Sequence, residues 1–137
     1  MKKFLLAGVM LLSACAGTGF QGLEQQSKDE VLIYYYRPWK YVGAALSLDI
    51  SENNTPVTSL GVKDYYVHRT TAGRKVVSTK TANESDELPF NTENGNSYFV
   101  KAEREFCFTG LMGCAELNLV PQEKALKEIQ NCSKVTE

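Results

Sequence analysis

Residues 31–37 read VLIYYYR, and they constrain the chain more than any other stretch. The run is β-branched and aromatic, which suits a strand. Successive side chains on a strand point to opposite faces. Two of Tyr34, Tyr35 and Tyr36 must therefore share one face, and the remaining one takes the other. One face fills a core; the other is exposed or covered by a helix. Pro38 lacks an amide hydrogen and turns the residue before it away from helix. The strand is expected to end near Arg37, which places Trp39, Lys40 and Tyr41 on a loop.

Short strands continue through most of residues 31–120. Leu46, Leu48 and Ile50 alternate with Ser47 and Asp49, the pattern of a half-buried strand. SENNTP and TENGN are turn clusters, and Val77, Thr79 and Thr81 share a face. Tyr98, Val100 and Ala102 alternate with Lys101 and Glu103, and CAELNLV alternates again. The period then changes. Pro121 suits a first helical turn, and Ala125, Leu126 and Ile129 fall on one helical face. Seven or eight strands with turns every 8–12 residues predict an antiparallel β-sandwich of immunoglobulin-like build, closed by one short C-terminal helix.

The N-terminus carries an export signal. Met1-Lys2-Lys3 is positive, and residues 4–12 (FLLAGVMLL) are apolar but too short to span a bilayer. The run ends in Leu12-Ser13-Ala14-Cys15, a branched apolar residue and two small ones before a cysteine, which resembles the bacterial lipobox. Cleavage before Cys15 and acylation of its thiol, palmitate included, would give a lipoprotein, since several chains on one residue anchor stably. Ala16 rather than Asp follows the cysteine. By resemblance to the enterobacterial sorting rule, this favours the outer membrane, with the domain facing the periplasm. The expected plan is a signal peptide (1–14), a lipidated cysteine with a flexible tether (15–29), the sandwich with its helix (30–132) and a tail (133–137).

Of the 15 basic residues two leave with the leader, against 16 acidic ones. No basic excess argues for nucleic acid or for anionic headgroups. Three cysteines remain in an oxidising compartment: Cys107, Cys114 and Cys132. At most one intramolecular disulfide forms among three. A turn at Gly110-Leu111 would set Cys107 opposite Cys114 on a hairpin. Alternatively Cys132 bonds one of them and staples the C-terminus to the sheet, and this is slightly preferred. The cysteines and the single His68 lack metal-ligand spacing. No cofactor is expected.

The motif order is a lipobox, VLIYYYRP, GAALSLDI, DYYVH, AGRKVVS, ENGNSYFVKA, AELNLV and a short helix with a late cysteine. It resembles the bacterial lipoprotein family labelled domain of unknown function 2846. The resemblance covers about residues 30–132. It implies a transthyretin-like sandwich and no established activity. The family's turn appears here in the altered form Ala72-Gly73-Arg74-Lys75.

No nucleophile elbow, phosphate loop, zinc helix or calcium loop occurs. The expectation is a non-enzymatic, lipid-anchored binding or accessory domain that holds a protein partner or an envelope polymer near the membrane. Arg37, Trp39 and Tyr41 are the first candidate contact residues, because aromatics beside a cation stack on sugars and anchor partners. Alternatively Trp39 plugs the open end of the sandwich. Leu111 and Met112, on an apolar hairpin tip, come second as a contact or membrane touch point. A glycan-binding protein or enzyme would need a carboxylate such as Asp49 or Asp64 near the aromatic loop. A purely structural envelope lipoprotein is the third alternative. His68 is expected to pack or lie at the surface.

Overall fold

The chain's most apolar strand lies at the centre of the fold. The computed structural model describes residues 19–81, 85–107 and 110–136, with only the backbone path of residues 107 and 110–113. The leader and Cys15 lie outside the described residues. The strands are β1 (Val31–Arg37), β2 (Leu48–Glu52), β3 (Thr55–Leu60), β4 (Asp64–Thr70), β5 (Gly73–Lys80), β6 (Ser85–Thr92), β7 (Ser97–Cys107), β8 (Gly110–Val120) and β9 (Ser133–Lys134). They build two sheets, ordered β8-β7-β1-β4-β9 and β3-β2-β5-β6. One helix, α1 (Gln122–Ile129), follows β8. The expected β-sandwich with a single short C-terminal helix is the fold of this chain.

All seven residues of β1 are buried, and the alternation of the strand shows why. Val31, Ile33 and Tyr35 face the second sheet and pack with Leu48, Ile50, Leu60, Val77 and Val100. Leu32, Tyr34 and Tyr36 face the other way and pack with Phe99, Ala125, Ile129 and Cys132. A strand covered on both faces reads as a continuous apolar run rather than an alternating one. The helix supplies part of the second cover through Ala125 and Ile129.

The N-terminal segment supplies the rest, which corrects the expected flexible tether. The Phe20 ring meets Tyr65 edge-on at 5.5 Å. The Glu24 amide donates to the Tyr34 hydroxyl at 2.8 Å. Gln26 Nε2 donates to the carbonyls of Glu30 and Asn96 at 2.9 and 2.7 Å. An eight-residue helix is too short to shield the whole outer face of β1, and residues 20–30 close the gap. The tail is likewise structured: Ser133–Lys134 pairs with β4, and Val135 packs against the intersheet core.

Two pairings depart from an all-antiparallel sandwich. β1 runs parallel to β7, and β4 runs parallel to β9. A parallel pair needs a long crossover, and the second sheet provides it between β1 and β7. The turn chemistry follows the residues. Asn53 and Asn54 take φ 50 and 66, a primed hairpin turn between β2 and β3.

Candidate functional site

The parallel β1–β7 pairing decides what sits at the C-terminal end of β1. Tyr36 is level with Lys101, so β7 runs on past β1 and the 38–47 loop lies beside its last residues. Two buried arginines hold that loop. Arg37 is only 2% exposed. Its Nη1 donates to the carbonyls of Leu46 and Leu60 at 2.6 and 3.0 Å, and its Nη2 to that of Gly43 at 3.0 Å. Arg104 Nη2 donates to the Ser47 carbonyl at 2.9 Å. Gly43 has φ +66, and a side-chain carbon there would collide with the Arg104 stem. Burial lowers the affinity of Arg37 for its proton, and the charge of Arg104 adds to this.

Arg37 is therefore not a surface cation, which corrects its place among the contact residues. It belongs to the row Val31, Ile33, Tyr35, Arg37, the face of β1 that meets the second sheet. A guanidinium offers five donors in a fixed fork, enough to pair two carbonyls of the loop and that of Leu60 at the end of β3.

The loop so held presents two aromatic rings to solvent. Trp39 is 55% exposed and Tyr41 85%. Their rings stack at 6.5 Å with 12° between planes. Trp39 is no core plug. Between them, Lys40 bonds Glu103 at 3.3 Å and also bonds Glu105 on β7. These contacts, Glu105 first, raise the affinity of Lys40 for its proton. Phe106, the next residue on β7, is 73% exposed. Glu103, Glu105 and Glu116 bring carboxylate oxygens within 4.8 Å of one another, and the Lys40 ammonium is already the cation for two of them.

Leu111 and Met112 begin β8 at the tip of the β7–β8 hairpin, and their side chains lie outside the described residues. The hairpin register differs from the expected one. Cys107 pairs with Gly110, and Cys114 pairs with Glu105 across a bulge. Gly110 and Leu111 lie on β8 rather than in a two-residue turn, and Cys107 is not opposite Cys114. Cys132 is a free, buried thiol, so the preferred staple through Cys132 is not formed. It is tucked under the 37–63 connection, 3.8 Å from the Arg37 carbonyl. Cys114 is disulfide-bonded, and the side chain of Cys107 lies outside the described residues.

A second polar cluster lies between the sheets. Glu52 Oε1 bonds Lys75 at 3.1 Å. Its Oε2 accepts from the Tyr35 hydroxyl at 3.0 Å and lies 3.3 Å from His68 Nε2. Lys75 also donates to Thr70 Oγ1 at 3.1 Å. Both carboxylate oxygens are thus engaged by fixed partners, the arrangement of a buried structural network. Glu52 and Lys75 were not legible as a pair, because they come from different strands of the second sheet. His68, on β4, lies beside the Tyr35 and Tyr66 rings and reaches Glu52 from a partly exposed position.

The two carboxylates considered for a catalytic cleft lie on different sheets. Asp64 accepts from the Gly61 amide at 2.8 Å in its own turn. Asp49 lines an open polar groove of about 560 Å³ on the outer face of the second sheet, with Ser51, Lys80 and Glu87. No family model, curated protein or solved structure matches the chain. The resemblance to a lipoprotein family rests on the order of its motifs alone.

Proposed function

We propose that the chain is a lipid-anchored domain of the bacterial envelope, non-enzymatic, whose 38–47 loop is its contact surface for a protein or envelope component. The observation that carries the proposal is the exposed Trp39–Tyr41 stack on a loop fixed from inside by Arg37 and Arg104. Burial of two exposed aromatic rings takes a large apolar area out of water. A pre-ordered loop loses little further entropy on binding. The lipobox at Leu12–Cys15 supports anchoring, and Ala16, by resemblance to the enterobacterial sorting rule, favours the outer membrane with the domain facing the periplasm.

The test has two parts. Labelled palmitate enters the wild-type chain and is lost in Cys15→Ala. The double variant Trp39→Ala/Tyr41→Ala stays folded and lipidated, and loses about tenfold of the envelope crosslinks that formaldehyde makes to the wild type, the equivalent of about 1.4 kcal/mol. Crosslinks unchanged in a folded, lipidated double variant would refute a contact surface here.

A further inference from the structure

We infer that the bilayer interface itself is the occupant of the Trp39–Tyr41–Phe106 end; this rests on the lipid anchor and contact surface proposed above. Three registers locate the anchor relative to the rings. Arg37 pairs with Asp64, Asp64 with Ser133, and Ser133 with Gly19. These residues form one row across the sheet at the C-terminal end of β1. Three strand spacings put Gly19 about 15 Å from Arg37.

The chain outside the described residues is short. Four peptide steps separate Gly19 from Cys15, a reach of at most about 14 Å. The opposite end of the domain, where Gly95 meets Lys28, lies beyond the full length of β1, about 23 Å from that row. An acylated Cys15 therefore holds the bilayer against the half of the domain that contains the 38–47 loop. On the same side β7 runs past the row by residues 103–107, about 16 Å of strand. The row that ends at Gly19 and the protruding hairpin thus belong to the same end of the domain.

The exposed side chains of that end match an interfacial environment. Trp and Tyr favour the membrane–water boundary, where the ring is apolar and the polar edge stays wet. Trp39, Tyr41 and Phe106 are three of the five large apolar side chains exposed among the described residues. Between the rings, Lys40 is paired internally with Glu103 and Glu105. Glu116 on β8 and Lys63 beside Arg37 stay exposed at this end, where a headgroup layer keeps them wet. Because the acyl chains already hold the domain at the surface, ring insertion is an intramolecular step and needs little affinity of its own to fix orientation.

The chain contains one tryptophan, so Trp39 reports its own depth. The full lipidated protein, with acylation of Cys15 verified by mass, is reconstituted into phosphatidylethanolamine/phosphatidylglycerol vesicles with and without brominated phosphatidylcholine. The expected result is a loss of more than about half of the Trp39 emission to brominated lipid, with protection from aqueous iodide, as for a ring at the interface. Photo-crosslinking from position 41 in cells then yields lipid adducts. Emission indifferent to brominated lipid and open to iodide would overturn the inference. If position 41 then captures a protein or polymer, the contact-surface proposal stands and only the bilayer as occupant falls. If it captures nothing, both fall.

Discussion

Arg37 Nη1 reaches the carbonyl of Leu46 at 2.6 Å, nine residues along the chain and across the end of the sandwich. This bond, with those to Leu60 and Gly43, turns a ten-residue connection into a fixed platform. Arg37→Ala would leave three carbonyls without their charged donor. Hydrogen bonds to charged groups contribute about 1.5–3 kcal/mol each, so the variant is expected to lose at least about 3 kcal/mol in urea unfolding. Arg37→Lys recovers little of it, because an ammonium is a point donor rather than a fork. Trp39 anisotropy falls in the folded fraction of both variants. Unchanged stability in Arg37→Ala would remove the guanidinium as the organiser of the loop.

Glu52 stands between Lys75, Tyr35 and His68. Glu52→Ala strands a buried ammonium, and the expected cost is about 3–5 kcal/mol. Adding Lys75→Met removes the stranded charge, and the double variant is expected to recover most of the loss. A double-mutant cycle on unfolding free energies checks the coupling. Additive losses would show that the two side chains do not act as a pair.

Burial pushes the Cys132 thiol up to about 11 from 9.0, with Asp64 adding to the effect. The unfolded thiol ionises first as pH rises, so the unfolded state sheds its proton before the folded one. Stability from this group is complete below pH 9 and is lost between about pH 9 and 11, up to about 3 kcal/mol. Cys132→Ala is expected to flatten that part of the pH profile. Burial also raises Tyr35 and Tyr36 above their usual value, with Glu52 and Glu128 adding to it. Their contribution is lost above pH 10 and remains in the variant. A wild-type profile that is level from pH 9 to 10 would contradict a buried, neutral thiol.

Trp39 and Tyr41 project from the platform without packing into either core cluster. The double alanine variant is expected to keep its unfolding free energy within about 0.5 kcal/mol of wild type. A larger loss, measured by urea unfolding followed through far-ultraviolet circular dichroism, would make the stack structural.

Much of this fold was legible because β1 announces itself. A strand with no polar alternation has to be covered twice, and the change of period after Pro121 shows where one cover comes from. The second cover was not legible. Residues 20–30 are mostly polar and lack a periodic apolar pattern, and the contacts that dock them onto the sheet, with Tyr34, Tyr65 and Asn96, come from far along the chain. The loop was placed correctly, and the exposure of Trp39 and Tyr41 was among the alternatives. Arg37 was misjudged because its neighbours in sequence are aromatic. Its neighbours on the strand face are Val31, Ile33 and Tyr35, and that period of two pointed inward. The hairpin register slipped for a different reason: a bulge is set by local packing, and alternation alone does not count its extra residues.

The most direct test of a contact surface at the 38–47 loop is in-cell photo-crosslinking from position 39, with position 49 as the control on the outer face of the second sheet. The account predicts one dominant class of adduct from position 39 in the lipidated protein and none of that class from position 49. Equal labelling from both positions, or no adduct from a folded and lipidated protein, would contradict it.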